Sequence, residues 1–179
     1  MSGGTSLASA SPSRQRSLGR EWHTEPDDLE SLHALSLRLA ATDDLSVVLD
    51  DTLRTVGKLV GAKLGTTQRL TSDETLAMVG QFGFGEAILA EFPVIGLGDC
   101  SVCAAALRSK SRIAVPDLRA EPKFYKIGDA LRSYGAVAAV STPVVGSDGR
   151  VLAMFSLYWP SEHFPSDREL RLLDLCSEL

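Results

Sequence analysis

The sequence predicts an α+β domain in which helices pack on a mainly antiparallel sheet. Three observations support this fold class. Apolar residues recur at helical spacing near both ends of the chain, and between the ends the spacing alternates as it does in strands. Two short polar segments, 71–75 and 146–149, have the composition of turns that join such strands into hairpins.

The composition fits one globular domain with an N-terminal extension. The chain has 179 residues, of which 44% are apolar and 23% are charged. Residues 1–27 are rich in Ser, Ala and Arg and offer little apolar surface to bury, so we expect a disordered basic tail. Residues 28–179 are expected to form the folded domain.

Charge, hydropathy and cysteine content argue against several classes of function. The net charge of −5 disfavours a nucleic-acid or anionic-membrane partner. No apolar run approaches the roughly 20 residues that span a bilayer. The odd count of three cysteines argues against a disulfide framework and favours the cytoplasm. The three histidines do not fall at metal-ligand spacing, so no metal site is predicted, and the sequence indicates no particular cofactor.

The first half of the chain is predicted to form two helices followed by a hairpin. Leucines at positions 29, 32, 35 and 39 indicate the first helix, and capping residues at 42–44 open the second. Alternating apolar positions over 64–70 and 76–82 indicate the two strands of the hairpin. A short helix over 86–92 ends before Pro93.

The segment 97–143 carries most of the residues that could form a binding site. Asp99 is expected to cap a helix that continues to about Ser109. A short strand over 112–115 is stopped by proline, and an amphipathic helix is expected over 124–134.

The chain closes with a second hairpin and a final helix. Strands are expected over 136–145 and 151–159, and Ser166 with Glu169 forms a capping-box pattern. The last helix is apolar over a wide arc. It therefore needs a further surface, either a partner helix in a dimer or a continuation into an output domain.

These motifs, in this order, resemble those of GAF domains, the small-molecule sensor modules of bacterial signalling proteins and phosphodiesterases. The segment 160–175 is similar to the GAF subgroup of sensor histidine kinases. The resemblance extends over about 28–179. The other matching segments are 98–107, 113–117, 121–122, 131–135, 141–144 and 148–152.

The resemblance implies both an architecture and a function. The central antiparallel sheet would have five to six strands. Helices from both ends would cover one face of this sheet, and residues 84–135 would cover the other face and enclose a ligand pocket. The implied function is a small-molecule-binding regulatory domain in cytoplasmic signal transduction. It would be a homodimer through its terminal helices, with an output domain or kinase as a further partner. The candidate ligand-binding residues are Phe82, Phe84, Cys103, Phe124, Tyr125, Arg132, Tyr134 and Ser141.

Cys100 and Cys103 support a second hypothesis. A Cys-x-x-Cys pair at a helix start is typical of redox-active thiols, because helix-terminal N–H groups lower the pKa of a thiol. The pair would then act as a redox sensor. A third hypothesis is a dimerisation module that binds no ligand.

Among the functions that the resemblance suggests, an enzyme is the least favoured hypothesis, so no catalytic residue is assigned. Cys103 aligns with a cysteine of the GAF-type free methionine-(R)-sulfoxide reductases, but their catalytic cysteine would fall within 122–129, where this chain has none. The cysteine that binds a bilin in phytochrome-like GAF domains would fall at Gly128, which rules out that attachment.

Overall fold

The computed structural model describes residues 26–85 and 87–177, with the side chains of Tyr125 and Lys126 outside the description. Of the predicted tail, only Pro26 and Asp27 are described, and they lie in the first turn of helix α1. The helices are α1 (Pro26–Leu39), α2 (Leu45–Leu59), α3 (Ala87–Glu91), α4 (Val102–Ser109), α5 (Tyr125–Ser133) and α6 (Asp167–Ser177). The strands are β1 (Leu64–Leu70), β2 (Leu76–Phe82), β3 (Val94–Ile95), β4 (Ile113–Val115), β5 (Ala138–Val145) and β6 (Val151–Trp159).

The six strands form one sheet in the order β3-β2-β1-β6-β5-β4, and every pair is antiparallel. The predicted α+β class is therefore confirmed, with six strands. The two-residue strand β3 was not expected from the sequence, since a segment this short shows no alternation. Two β-bulge irregularities occur, one of them in β2, where Val79 is the extra residue opposite the step from Thr67 to Gln68.

Helices α1, α2 and α6 cover one face of the sheet, as predicted, and we call this the helix face. Leu35, Leu53, Leu157 and Leu172 are fully buried there. The two caps predicted for α2 and α6 are present: Asp44 accepts a hydrogen bond from the N–H of Ser46 at 2.8 Å, and Glu169 accepts one from the N–H of Ser166 at 2.7 Å.

Two arginines tie α6 to the rest of the fold. Arg168 forms an ion pair with Asp28, whose side chain is 2% exposed, and donates to the carbonyl of Leu59 at 3.3 Å. Arg112, next to β4, donates to Thr142 at 2.9 Å and to Asp174 at 2.6 Å. The start of α6 is thereby fixed to α1 and α2, and its later turns are fixed to the edge of the sheet.

The segment 84–135 covers the opposite face, which we call the cover face. Phe84, Ile88, Phe124 and Leu131 pack there against Tyr158 of β6. This arrangement matches the cover that the sequence predicted.

One predicted cap is wrong. Helix α4 is capped by Ser101, whose hydroxyl accepts from the N–H of Ala104 at 3.1 Å, and not by Asp99. The Asp99 carboxylate instead accepts from the N–H of Gly96 at 2.7 Å, which closes the loop before the helix. Both residue types are good caps, so only the path of the loop decides between them.

No helix within 26–85 and 87–177 is both long enough and apolar enough to cross a membrane.

Candidate functional site

A small enclosed cavity of about 20 Å³ lies between the centre of the sheet and helices α3, α4 and α5. A volume of this size holds roughly one water molecule. The cavity has a polar and an apolar side. The polar side consists of Thr66, Gln68, Ser101, Cys103 and Tyr158, and the apolar side consists of Met78, Ile88, Phe92, Ile95, Val102, Ile127 and Leu131.

Three residues of the polar side, Thr66, Gln68 and Tyr158, belong to a buried network of uncharged groups on β1, β5 and β6. Gln68 donates from Nε2 to the hydroxyl of Thr66 at 2.8 Å. The Tyr158 hydroxyl lies within hydrogen-bonding reach of the Thr66 and Ser156 side chains, and Ser156 bonds Ser141 at 2.8 Å. Each of the five is at most 5% exposed. Buried polar groups cost free energy unless they are paired, so a network of this extent under a cover is a functional-site candidate.

Burial raises the pKa of the Tyr158 hydroxyl, and the hydrogen bonds to Thr66 and Ser156 only partly oppose this effect. The hydroxyl therefore stays protonated at neutral pH. It can donate one hydrogen bond and accept others, and it brings no charge to the cavity.

Gln68 is the one member of this network with an unsatisfied atom. Its Oε1 is buried and has no hydrogen-bond partner within the part of the chain that the structure describes. The orientation of the amide follows from its neighbours. Nε2 lies 2.8 Å from the Thr66 hydroxyl and 3.8 Å from Sδ of Met78, which has no proton to donate and can only accept. The carbonyl oxygen is therefore the free end of the amide.

Cys103 lies on the polar side of the cavity and is 4% exposed. Its Sγ is 3.2 Å from the Ser101 hydroxyl. Burial raises the pKa of the Cys103 thiol, and the hydrogen bond from Ser101 does not offset that effect. The expectation that the helix start lowers this pKa is therefore wrong, because the desolvation of the thiolate outweighs the helix terminus.

Cys100 has a different environment from Cys103. It is exposed, precedes the helix, and borders an open surface groove with Asp99 and Phe124. All three cysteines are free thiols.

Two of the predicted aromatic residues lie beside the cavity and not in its wall. Phe84 packs edge-to-face on both Tyr134 and Tyr158, with ring centroids 5.5 and 5.4 Å apart. The Tyr134 hydroxyl hydrogen-bonds Glu91 at 2.7 Å, and this contact raises its pKa. These side chains hold α3 against α5, so they form part of the cover.

The remaining predicted residues are more dispersed. Phe124 is buried under the cover, and Arg132 forms an ion pair with Asp129 on its own helix. Ser141 is buried behind the cavity wall, where it supports Ser156. The side chain of Tyr125 lies outside the described residues.

Phe82 is on the wrong face for a pocket residue. It packs against the helix-face core, and its ring lies over Gly57 of α2 and Gly65 of β1. The bulge at Val79 shifts the alternation within β2, so the direction of the Phe82 side chain could not be counted along the strand from the sequence.

Sequence reasoning missed Thr66, Gln68, Ser156 and Tyr158 as cavity residues. The sequence did contain a signal for Thr66 and Gln68. These two polar residues share one face of β1 with Leu64 and Leu70, which lie at the two ends of the strand. A polar residue on the apolar face of a strand indicates a buried polar site.

Among the side chains that the structure describes, no cluster of three or more His, Cys, Asp or Glu residues could hold a metal ion.

A six-stranded antiparallel sheet with terminal helices on one face and a covered cavity on the other defines the class of the fold as an α+β domain. A sequence model of the GAF domain matches residues 42–179, and the chain belongs to this family. GAF domains are regulatory sensor domains of signalling proteins. No curated protein sequence matches the chain.

Solved structures with the same fold come from several kinds of protein. The GAF domain of an Acinetobacter phosphoenolpyruvate-protein phosphotransferase is 11% identical, with a TM-score of 0.69 over 86% of this chain and 90% of that one. A domain of a putative sensor histidine kinase from Sinorhizobium meliloti is 15% identical, with a TM-score of 0.59 over 75% and 87%. Free methionine-R-sulfoxide reductase from Neisseria meningitidis is 16% identical, with a TM-score of 0.67 over 89% and 93%. At these identities the likeness concerns the fold alone.

Proposed function

We propose that this GAF domain is a small-molecule sensor that binds its ligand in the cavity between the sheet and the 84–135 cover. The observation that supports this most is the buried polar network, which ends at the cavity with an unpaired acceptor on Gln68. A domain that only needed a stable core would bury apolar groups there at lower cost. A ligand larger than one water would require the cover to move outward.

The cover consists of short elements. Helix α3 has five residues, and of these only Ile88 is buried. Such an element opens at low free-energy cost, because few apolar contacts are lost. Ligand binding would then favour one position of α3 and α4. We propose that this change passes to the terminal helices and from them to an output domain or kinase in the cytoplasm.

Native mass spectrometry and absorbance of the freshly purified protein test the proposal. We expect an excess mass that disappears when the protein is denatured. Cys103→Leu, which fills the cavity, should abolish the excess mass. Cys176→Leu is the matched control, since it adds the same bulk at a buried cysteine on the helix face. Loss of the ligand in both variants, or a protein that never carries or binds one, contradicts the proposal.

We also propose that the domain dimerises through its terminal helices. Leu29 and Leu37 on α1 are 56% and 61% exposed, and Leu175 on α6 is 44% exposed. Leu29 and Leu37 are eight residues apart, so they lie on the same side of α1. Exposed leucines in such a row on a terminal helix are typical of a helix–helix interface.

Size-exclusion chromatography with light scattering tests dimerisation. We expect a dimer for the wild type and a monomer for Leu37→Glu. Leu89→Glu is the control, because Leu89 is also exposed but lies on α3, in the cover. A monomeric wild type, or a Leu37→Glu variant that stays dimeric, contradicts this interface.

The geometry gives less support to the redox pair. The buried Cys103 thiol has a raised pKa and the exposed Cys100 borders a different groove. Alkylation mapped by mass spectrometry separates the two functions. Under the sensor proposal Cys100 reacts well before Cys103, and Cys100→Ser leaves ligand binding unchanged. A reversible bond between the two sulfurs under mild oxidation would favour the redox function instead.

A further inference from the structure

We infer that the ligand of this cavity is uncharged where it meets the sheet, and that it presents an N–H or O–H donor to Oε1 of Gln68 and an apolar body to the cover. The inference rests on the proposed function and specifies the chemical class of the ligand.

The free acceptor sets the first requirement. Gln68 is 1% exposed, and no group of the described residues donates to its Oε1. A buried acceptor without a partner destabilises the unliganded protein, because it has lost its hydrogen bond to water. A ligand that donates to this oxygen recovers that cost, whereas a ligand group that can only accept leaves it in place and adds repulsion between two oxygens.

The rest of the wall sets the second requirement. The described side chains that line the cavity are all uncharged. Proteins hold a phosphate or a carboxylate with cationic side chains or with free helix-terminal N–H groups. The N–H of Ala104, in the first turn of α4, is already bonded to Ser101, and Arg132 is engaged by Asp129. An anion placed here would be desolvated without compensation.

The apolar side sets the third requirement. Ile88, Phe92, Ile127 and Leu131 of the cover face the sheet across the cavity. An apolar ligand body in contact with them restores packing as the cover moves outward, at about 25 cal/mol per Å² of apolar surface removed from water. The class that satisfies all three requirements is a small neutral amide, amine-bearing heterocycle or alcohol with an apolar body.

Three probes with the same phenyl body test the class on the wild-type protein. Benzamide is neutral and donates N–H, N,N-dimethylbenzamide is neutral but has no donor, and benzoate is anionic and has no donor. We expect benzamide at millimolar concentration to raise the Tm, by about 3 °C when it is near tenfold its dissociation constant. The other two probes should raise it at most slightly.

Variants in strand β1 assign the effect to Gln68. Gln68→Met removes the acceptor while keeping the length of the side chain, and it should abolish the response to benzamide. Thr67→Val is the control, because Thr67 is also buried with an unpaired hydroxyl but pairs with Phe155 on the helix face. Its response to benzamide should equal that of the wild type.

The outcomes separate this inference from the proposed function. A shift from benzoate as large as that from benzamide, no shift from benzamide, or an unchanged response in Gln68→Met overturns the neutral-donor class. The comparison of probes needs no variant, so it stands even where Gln68→Met does not fold. A carried anion that is lost in Cys103→Leu would overturn the class and leave the sensor function in place. The sensor function itself fails when the native protein neither carries nor binds any ligand at this cavity.

Discussion

At the scale of single residues, Cys176 couples the fold to pH. Cys176 is 2% exposed in the helix-face core, and burial raises the pKa of its thiol from 9.0 to about 11. An unfolded chain ionises this thiol near its ordinary pKa, whereas the folded protein keeps it protonated up to about pH 11. The stability that depends on the neutral thiol is therefore complete below pH 9 and is lost as the pH rises from 9 to 11.

We predict that Cys176→Ala flattens the dependence of the unfolding free energy on pH between 9 and 11. The shift of about two units corresponds to at most about 3 kcal/mol across this window. Denaturant unfolding at the two ends of the window measures it. Cys100→Ala, at an exposed thiol, should keep the wild-type slope. An equal slope in both variants would show that Cys176 does not titrate as described.

The sequence predicted only some of the residues that line the cavity. Cys103 was predicted at the site and lies in the cavity wall, but its neighbour Gln68 was missed. The regular alternation of β1 places Gln68 on the cover face, but only the folded sheet shows that this residue borders the cavity. In β2 the bulge at Val79 shifts the alternation, and nothing in the residue pattern marks it. Phe82 was assigned to the wrong face for the same reason.

At the scale of elements, α2 and the β1–β2 hairpin meet through glycines. A Cβ on Gly57 of α2 would lie 2.5 Å from Cζ of Phe82. The ring has no room to retreat, because it is also packed over Gly65 of β1. Helix and sheet therefore approach each other closely only while position 57 has no side chain.

We predict that Gly57→Ala destabilises the protein by about 1–3 kcal/mol, because the methyl group overpacks this contact. Gly128→Ala is the control on α5, where the nearest atom to a built Cβ is 4.0 Å away. There the better helix propensity of alanine should stabilise by up to about 1 kcal/mol. In a Phe82→Leu background the cost at position 57 should shrink. Thermal unfolding of Gly57→Ala, Gly128→Ala, Phe82→Leu and the double variant Gly57→Ala with Phe82→Leu measures these changes in stability. If Gly57→Ala costs as much in the Phe82→Leu background as in the wild type, the added methyl group does not clash with Phe82.

Most elements were predictable because their signals are local. The capping box at Ser166 and the turn over 146–149 depend only on neighbouring residues, and both are present in the structure. The choice of Ser101 over Asp99 as a helix cap was not predictable, since it depends on the path of the whole loop.

At the scale of the whole molecule, Arg168 joins the two terminal helices. It pairs with the buried carboxylate of Asp28 in the first turn of α1 and also contacts the C-terminal end of α2. The two N-terminal helices and the last helix thus meet at one guanidinium group. Any movement of α6 relative to α1 has to break the ion pair between Arg168 and Asp28 or move both side chains together.

We predict that Arg168→Met destabilises the protein by about 3 kcal/mol, because it leaves the Asp28 carboxylate buried without this partner. The double variant Asp28→Asn with Arg168→Met should recover much of that loss, since no charge is then left buried. Chemical unfolding of the single and double variants forms a double-mutant cycle. Additive losses would show that the two side chains do not act as a pair.

The cavity and its free acceptor are the centre of this account, and a high-resolution crystal structure of the freshly purified protein tests them most directly. We predict density in the cavity for a molecule larger than water, with a nitrogen or oxygen donor about 3 Å from Oε1 of Gln68. Density for a single water only, or a Gln68 amide satisfied by another group of the protein, would contradict the assignment of this cavity as the ligand site.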